Sequence, residues 1–203
     1  MLRLNLRFVF SFLGLLFFAG IATAALCVWR SPDTDIAEIY KADSYKTVFQ
    51  DVTDVQRQRI EQQLGFSLDP DETQFKFFPV YKGENQIGTV MTHAGKGQFG
   101  VIEVVVAVID TGTGAIVKQV RIQRDREKAK AALRSNVFLG QFKGMTVNDN
   151  FIFDEDNGLK PASKDAVKAS KAVANAVRKL LIAYDEFYGR KLSEIKENEE
   201  ENK

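Results

Sequence analysis

The segment Phe99 to Ile109 reads FGVIEVVVAVI and is apolar at odd and even positions alike, apart from Glu103. Alternate residues of a strand point to opposite faces, so such a strand is stable only inside a sheet covered on both sides. Apolar segments around it set the rest of the sheet. Thr73 to Tyr81 is rich in Phe and Val, with Pro79 marking an edge or a bulge, and Gln86 to His93 forms the next strand after a turn at 82–85. Ala94-Gly95-Lys96-Gly97-Gln98 is expected as a flexible loop. After the two-glycine turn Asp110 to Gly114, the segment Ala115 to Gln123 alternates, directing Ile116, Val120 and Ile122 at the core.

Helix signals flank these strands. Thr53-Asp54-Val55-Gln56 has capping-box spacing and opens a short helix to Leu64, with Gly65 placed to end it. Arg124 to Arg134 has helical composition, Val137 to Phe142 is a short apolar stretch, and residues 146–162 read as a solvated loop rich in Asp and Asn. Ser163 is expected to cap a long helix to Tyr188. Its residues Ala166, Ala169, Val173, Val177, Leu180, Tyr184 and Phe187 recur at spacings of three and four and form one apolar stripe, and Gly189 ends it. The expected fold class is α+β, a mostly antiparallel sheet packed with helices.

The N-terminus is a different material. Phe8 to Trp29 carries no charge, and at about 1.5 Å per residue it reaches roughly 30 Å, the thickness of a bilayer core. Arg3 and Arg7 precede it, while Asp33, Asp35 and Glu38 follow soon after, which keeps the N-terminus cytoplasmic and exports the remainder. The expectation is a single-pass anchor in the inner (cytoplasmic) membrane, with the C-terminal domain on the periplasmic or extracellular side. The competing reading is a signal peptide cleaved after Ala22-Thr23-Ala24. The domain organisation is then 1–30 anchor, 31–70 connector with a short helix, 71–189 folded domain and 190–203 charged flexible tail.

Several function classes are excluded by composition. The net charge of +1, with basic residues scattered, gives no footprint for nucleic acid. The single cysteine, Cys27, lies in the apolar run, and the single histidine, His93, reads as a strand-end residue, so neither a Cys/His zinc site nor a Ser-His-Asp triad can be assembled. No nucleophile–base pair stands out. Gly95-Lys96-Gly97 lacks the spacing of a phosphate-binding loop. Arg124, Arg126, Lys128, Lys130 and Arg134 form a basic cluster that reads as a solvated helix face, with a ligand phosphate or lipid head groups as the alternative partners.

From Gly95 to Lys179 the chain shows an ordered set: GKGQFGVIEVVVAVIDTGTGAIVKQVRIQRDRE, then FLGQFKG with Gln141, then a C-terminal helix. This set resembles the FMN-binding domain family, which includes exported flavin-carrying subunits of Rnf and sodium-pumping NADH:quinone oxidoreductase complexes. The resemblance implies an accessory or electron-transfer component of a membrane redox complex. It places the cofactor site at an S-G-A-T-x-[ST]-[ST] type turn opening the last helix, where a Thr carries FMN through a phosphoester. Lys164-Asp165-Ala166-Val167-Lys168-Ala169-Ser170 stands against that turn. Ala166 and Ser170 agree with it; Asp165 replaces Gly, and Val167 replaces the attachment Thr. Val167 has no hydroxyl, and Asp165 sets a carboxylate where a phosphate would lie. The resemblance therefore implies FMN held non-covalently, or no cofactor at all, at a degenerate site of Ser163, Lys164, Asp165, Ala166, Val167, Ser170 and Gln141. Lys160, Lys164 or Arg134 would supply positive charge. The alternative is a non-redox binding or scaffolding module that kept the fold and lost the flavin.

Overall fold

The structure is a computed structural model; it describes residues 31–112, 114–154 and 156–189. The anchor expected at 8–29 and the tail at 190–203 lie outside the described residues. Among those described, no helix is long and apolar enough to cross a membrane.

The elements in chain order are α1 (Asp33–Tyr40), β1 (Ser44–Tyr45), β2 (Val48–Asp51), α2 (Asp54–Leu64), β3 (Gln74–Lys82), β4 (Asn85–Lys96), β5 (Val101–Asp110) and β6 (Ala115–Arg124). Two single turns, α3 (Lys130–Leu133) and α4 (Asn136–Leu139), precede the long α5 (Val167–Tyr184). The strands form one antiparallel sheet in the order β1-β3-β4-β5-β6, with β2 also paired to β3. The expected α+β class is observed.

Alternation along β5 splits the interior in two, as its composition requires. Ile102, Val104, Val106 and Val108 face the larger core, with the α5 stripe and with Ile60 and Leu64 of α2. Val105 and Ala107 face a smaller core on the opposite side, closed by Ile36 and Tyr40 of α1. Tyr40 donates its hydroxyl to the carbonyls of Val108 (2.6 Å) and Thr89 (3.3 Å), which ties α1 to the sheet. The ring passes so close to β4 that Gly88 has no room for a Cβ. Every residue of the expected α5 stripe is buried.

Several expectations are corrected. Residues 31–70 are no connector: they supply α1, α2 and two strands, and their Ile36, Ile60, Leu64 and Leu68 are core residues. Ala94 to Gln98 is not a flexible loop, because β4 runs to Lys96 with Gly95 opposite Ile102 and Lys96 opposite Val101. A four-residue turn closes this hairpin, Gly97 N–H donating to Gly100 O at 2.8 Å. In β6 the register slips opposite Ala107/Val108, where Val117 pairs with Val108 and Gln119 with Ala107. Lys118 is the extra residue of this bulge, so the alternation shifts. Val117 is 1% exposed and enters the core, while Ile116, expected there, is 36% exposed. Pro79 sits beside the irregularity at Val80/Tyr81, in the gap between the stretches of β3 that pair with β1 and β2. Of the helix expected over Arg124–Arg134, only α3 forms. The basic residues there do not share one face: Arg124 pairs with Glu103, Arg134 with Asp125, and Lys128 lies over the Phe99 ring.

His93 lies inside β4, opposite Val104, rather than at its end. Its Nδ1 is 3.6 Å from Glu72 Oε1, but both Glu72 oxygens are taken by Lys179 Nζ, at 2.7 and 2.8 Å. Burial, and secondarily the Lys179 charge, push the imidazole down to about 3. The neighbouring carboxylate therefore does not hold a proton on His93.

Candidate functional site

Where α5 begins, the sequence leaves its mouth bare. A 3-10 turn, Lys164–Ala166, leads into Val167, and neither Ser163 nor Ala166 places a side-chain hydrogen bond on the helix end. Ser163 is thus not the expected cap. Its Oγ points inward, buried without a hydrogen-bond partner among the described residues. Nothing in its surroundings explains this.

A cleft of about 1010 Å³ opens in front of the helix mouth. One wall is α5 and the turn before it, with Lys164, Asp165, Val167, Lys168 and Lys171; the other is the end of the β4–β5 hairpin with Gln98 and Phe99, and the segment Glu127–Ala129. A buried carboxylate shapes the second wall. Glu127 is 3% exposed, and its Oε1 accepts the backbone N–H groups of Gln98 (2.8 Å) and Phe99 (2.9 Å). Gly97 is needed beside it, since a Cβ there would collide with that oxygen. Glu127 is itself held by Asp125, whose Oδ1 accepts the Glu127 N–H at 3.1 Å; the Oδ2 of Asp125 receives Arg134 Nε and Nη2 at 2.9 and 2.7 Å.

The result is a held backbone that presents the Phe99 ring, 42% exposed on the cleft wall with Lys128 Nζ 4.8 Å from its centroid. A phenyl ring half in water offers a stacking surface, and the lysines across from it suit an anion. A nucleotide with an aromatic ring system and a phosphate has both features. The residues present therefore fit a flavin nucleotide held by stacking and charge. They offer no hydroxyl for a phosphoester at Val167, which is 38% exposed into the cleft.

The expected site residues divide. Lys164, Asp165 and Val167 line the cleft; Ala166 is buried beneath it. Ser170 is fully buried, its Oγ accepting the Ala162 N–H at 2.9 Å, and so clamps the approach to the helix. Gln141 lies elsewhere and braces the Lys160 backbone, donating to its carbonyl at 3.0 Å and accepting its N–H at 2.8 Å. Of the cations expected to meet an anion, Lys164 alone reaches the cleft. Lys160 Nζ donates to Asp154 O at 2.7 Å, and Arg134 holds Asp125. Lys168, Lys171, Phe99 and Glu127 are not among the residues expected here, and Lys128, expected on a solvated helix face, lines the cleft. Lys168 and Lys171 sit on the helix face next to Val167 by simple periodicity, a signal present in the sequence; the Glu127–Gly97 contact had none.

No family model and no curated protein sequence matches the chain. Among solved structures, the chain is similar to one described as the crystal structure of Shewanella oneidensis NqrC. The TM-score is 0.49 and the identity 13%, over 81% of this chain and 90% of that one. A likeness at that level assigns neither ligand nor activity.

Proposed function

We propose that this chain is an exported, membrane-anchored accessory of a membrane redox complex that holds a flavin nucleotide non-covalently in the cleft before α5. The cleft itself carries the reading: a half-exposed phenyl ring on a hydrogen-bonded backbone shares it with a bare helix mouth and its flanking lysines, Lys164 and Lys168. The ordered motifs between Gly95 and Lys179 support it independently. When bound, the flavin would supply the electron-transfer chemistry. The chain's own residues do the rest. Phe99 offers a face for ring stacking, and Glu127 fixes the backbone that carries it. The mouth of α5, with Lys164 and Lys168 beside it, neutralises phosphate, since free N–H groups and the helix dipole favour an anion there.

The test is to express the full chain together with a flavin transferase, purify it in mild detergent, and record the visible spectrum and intact mass. The expected protein is yellow, loses its flavin on denaturation, and has the mass of the bare polypeptide. A colourless protein that ignores added flavin nucleotides would favour the scaffolding alternative. A mass gain of one flavinyl phosphate would contradict non-covalent binding.

A further inference from the structure

The charges on α5 run the wrong way for a helix. Cations are favourable in the last turn and unfavourable in the first, by about 0.3–1 kcal/mol each. Yet α5 has no acid in its first turn and no base in its last. Lys164, Lys168 and Lys171 crowd its beginning instead, all lining the cleft. Lys168 and Lys171 are three residues apart, so they are neighbours on one face and repel each other. Among the described residues, none of the three has an ion-pair partner. Asp165, in the preceding turn, is the only acid exposed on this wall.

One phosphate at the mouth would relieve only part of this. The attraction of a helix end for an anion fades within the first turn. Lys164 precedes the helix and Lys168 is in its first turn, whereas Lys171 lies nearly a turn further along and Lys128 belongs to the opposite wall. The cleft, at about 1010 Å³, stands at the upper end of small-ligand sites, which run from roughly 300 to 1,000 Å³.

We infer that the ligand of this cleft carries a diphosphate, the first phosphate meeting the helix mouth with Lys164 and Lys168, and the second meeting Lys171 and Lys128. A flavin dinucleotide has this chemistry and a mononucleotide does not. The inference takes its place of binding from the flavin reading above, but its test separates the two.

Calorimetric titrations of the full chain in detergent with FMN, FAD and ADP, repeated on Lys171→Gln, provide it. The expected result is FAD binding at least tenfold tighter than FMN. Lys171→Gln should erase that difference while leaving FMN within twofold of its original affinity. FAD no tighter than FMN, or a variant that weakens both alike, would overturn the diphosphate inference and leave the flavin reading standing. ADP binding without either flavin would overturn the flavin reading and support the diphosphate. No binding of any of the three would overturn both.

Discussion

Lowering the pH from 8 to 4.5 should destabilise this fold through one residue. Folding holds His93 neutral, with its pKa pushed from the ordinary 6.5 down to about 3 by burial and then by Lys179. Between those values the unfolded chain binds a proton that the native state refuses, so stability is present at high pH and is lost as the pH falls below 6.5. At pH 4.5 the unfolded imidazole is almost wholly charged and the folded one almost wholly neutral, which costs about 3 kcal/mol. For a chain of this size that lowers Tm by roughly 5–10 °C. Ordinary carboxylates, with pKa values of about 3.9 to 4.3, also begin to protonate by pH 4.5, and the comparison with a His93 variant subtracts their share. The assay is thermal unfolding by circular dichroism at pH 8 and 4.5, for the wild type and for His93→Gln, which is neutral at both. The wild type should lose about 3 kcal/mol more than the variant. Equal losses in the two proteins, or an imidazole that titrates at 6.5 or above by NMR, would refute the reasoning.

Two further substitutions probe the frame. Gly88→Ala would put a Cβ 2.5 Å from the Val108 carbonyl oxygen and from the Tyr40 ring. Since the oxygen belongs to a neighbouring strand and cannot swing away, the expected loss is roughly 3 kcal/mol in denaturant unfolding. Thr53→Ala removes one half of a reciprocal cap, the Thr53 Oγ1 that accepts the Gln56 N–H, and leaves the other half, in which the backbone N–H of residue 53 donates to Gln56 Oε1. It should cost about 1 kcal/mol and speed amide exchange at Gln56. Phe99→Ala tests the stacking wall: flavin affinity should fall roughly 5- to 100-fold in a fluorescence titration, with Tm nearly unchanged because the ring is half exposed.

How much of this was legible in the sequence depended on the range of the signal. The Thr53–Gln56 cap, the positive φ at Gly65, the two-faced β5 and the α5 stripe are local or periodic, and each stands where expected. What escaped depends on contacts between distant segments. The bulge at Lys118, which exchanges Ile116 for Val117, exists only against β5. Gly95 looked like a loop glycine, yet it lies in a strand under α5, where a Cβ would come within 3.0 Å of the Ala172 carbonyl oxygen. Residues 31–70 looked like a connector because their strands are short and their apolar residues few, and only the sheet edge and Tyr40's reach to Val108 reveal their role. At the site, the aligned turn led to Lys164, Asp165 and Val167, but the opposite wall arrives from Phe99 and Glu127, far away in the chain.

The most direct test of the flavin cleft is backbone amide chemical-shift mapping of the isotope-labelled full chain in detergent during flavin nucleotide addition. Saturable shifts should concentrate at Gln98–Phe99, Glu127–Ala129 and Lys164–Lys171, with little change along Lys118–Ile122 on the far edge of the sheet. Shifts centred on that edge instead, or no shift at saturating flavin, would contradict the account.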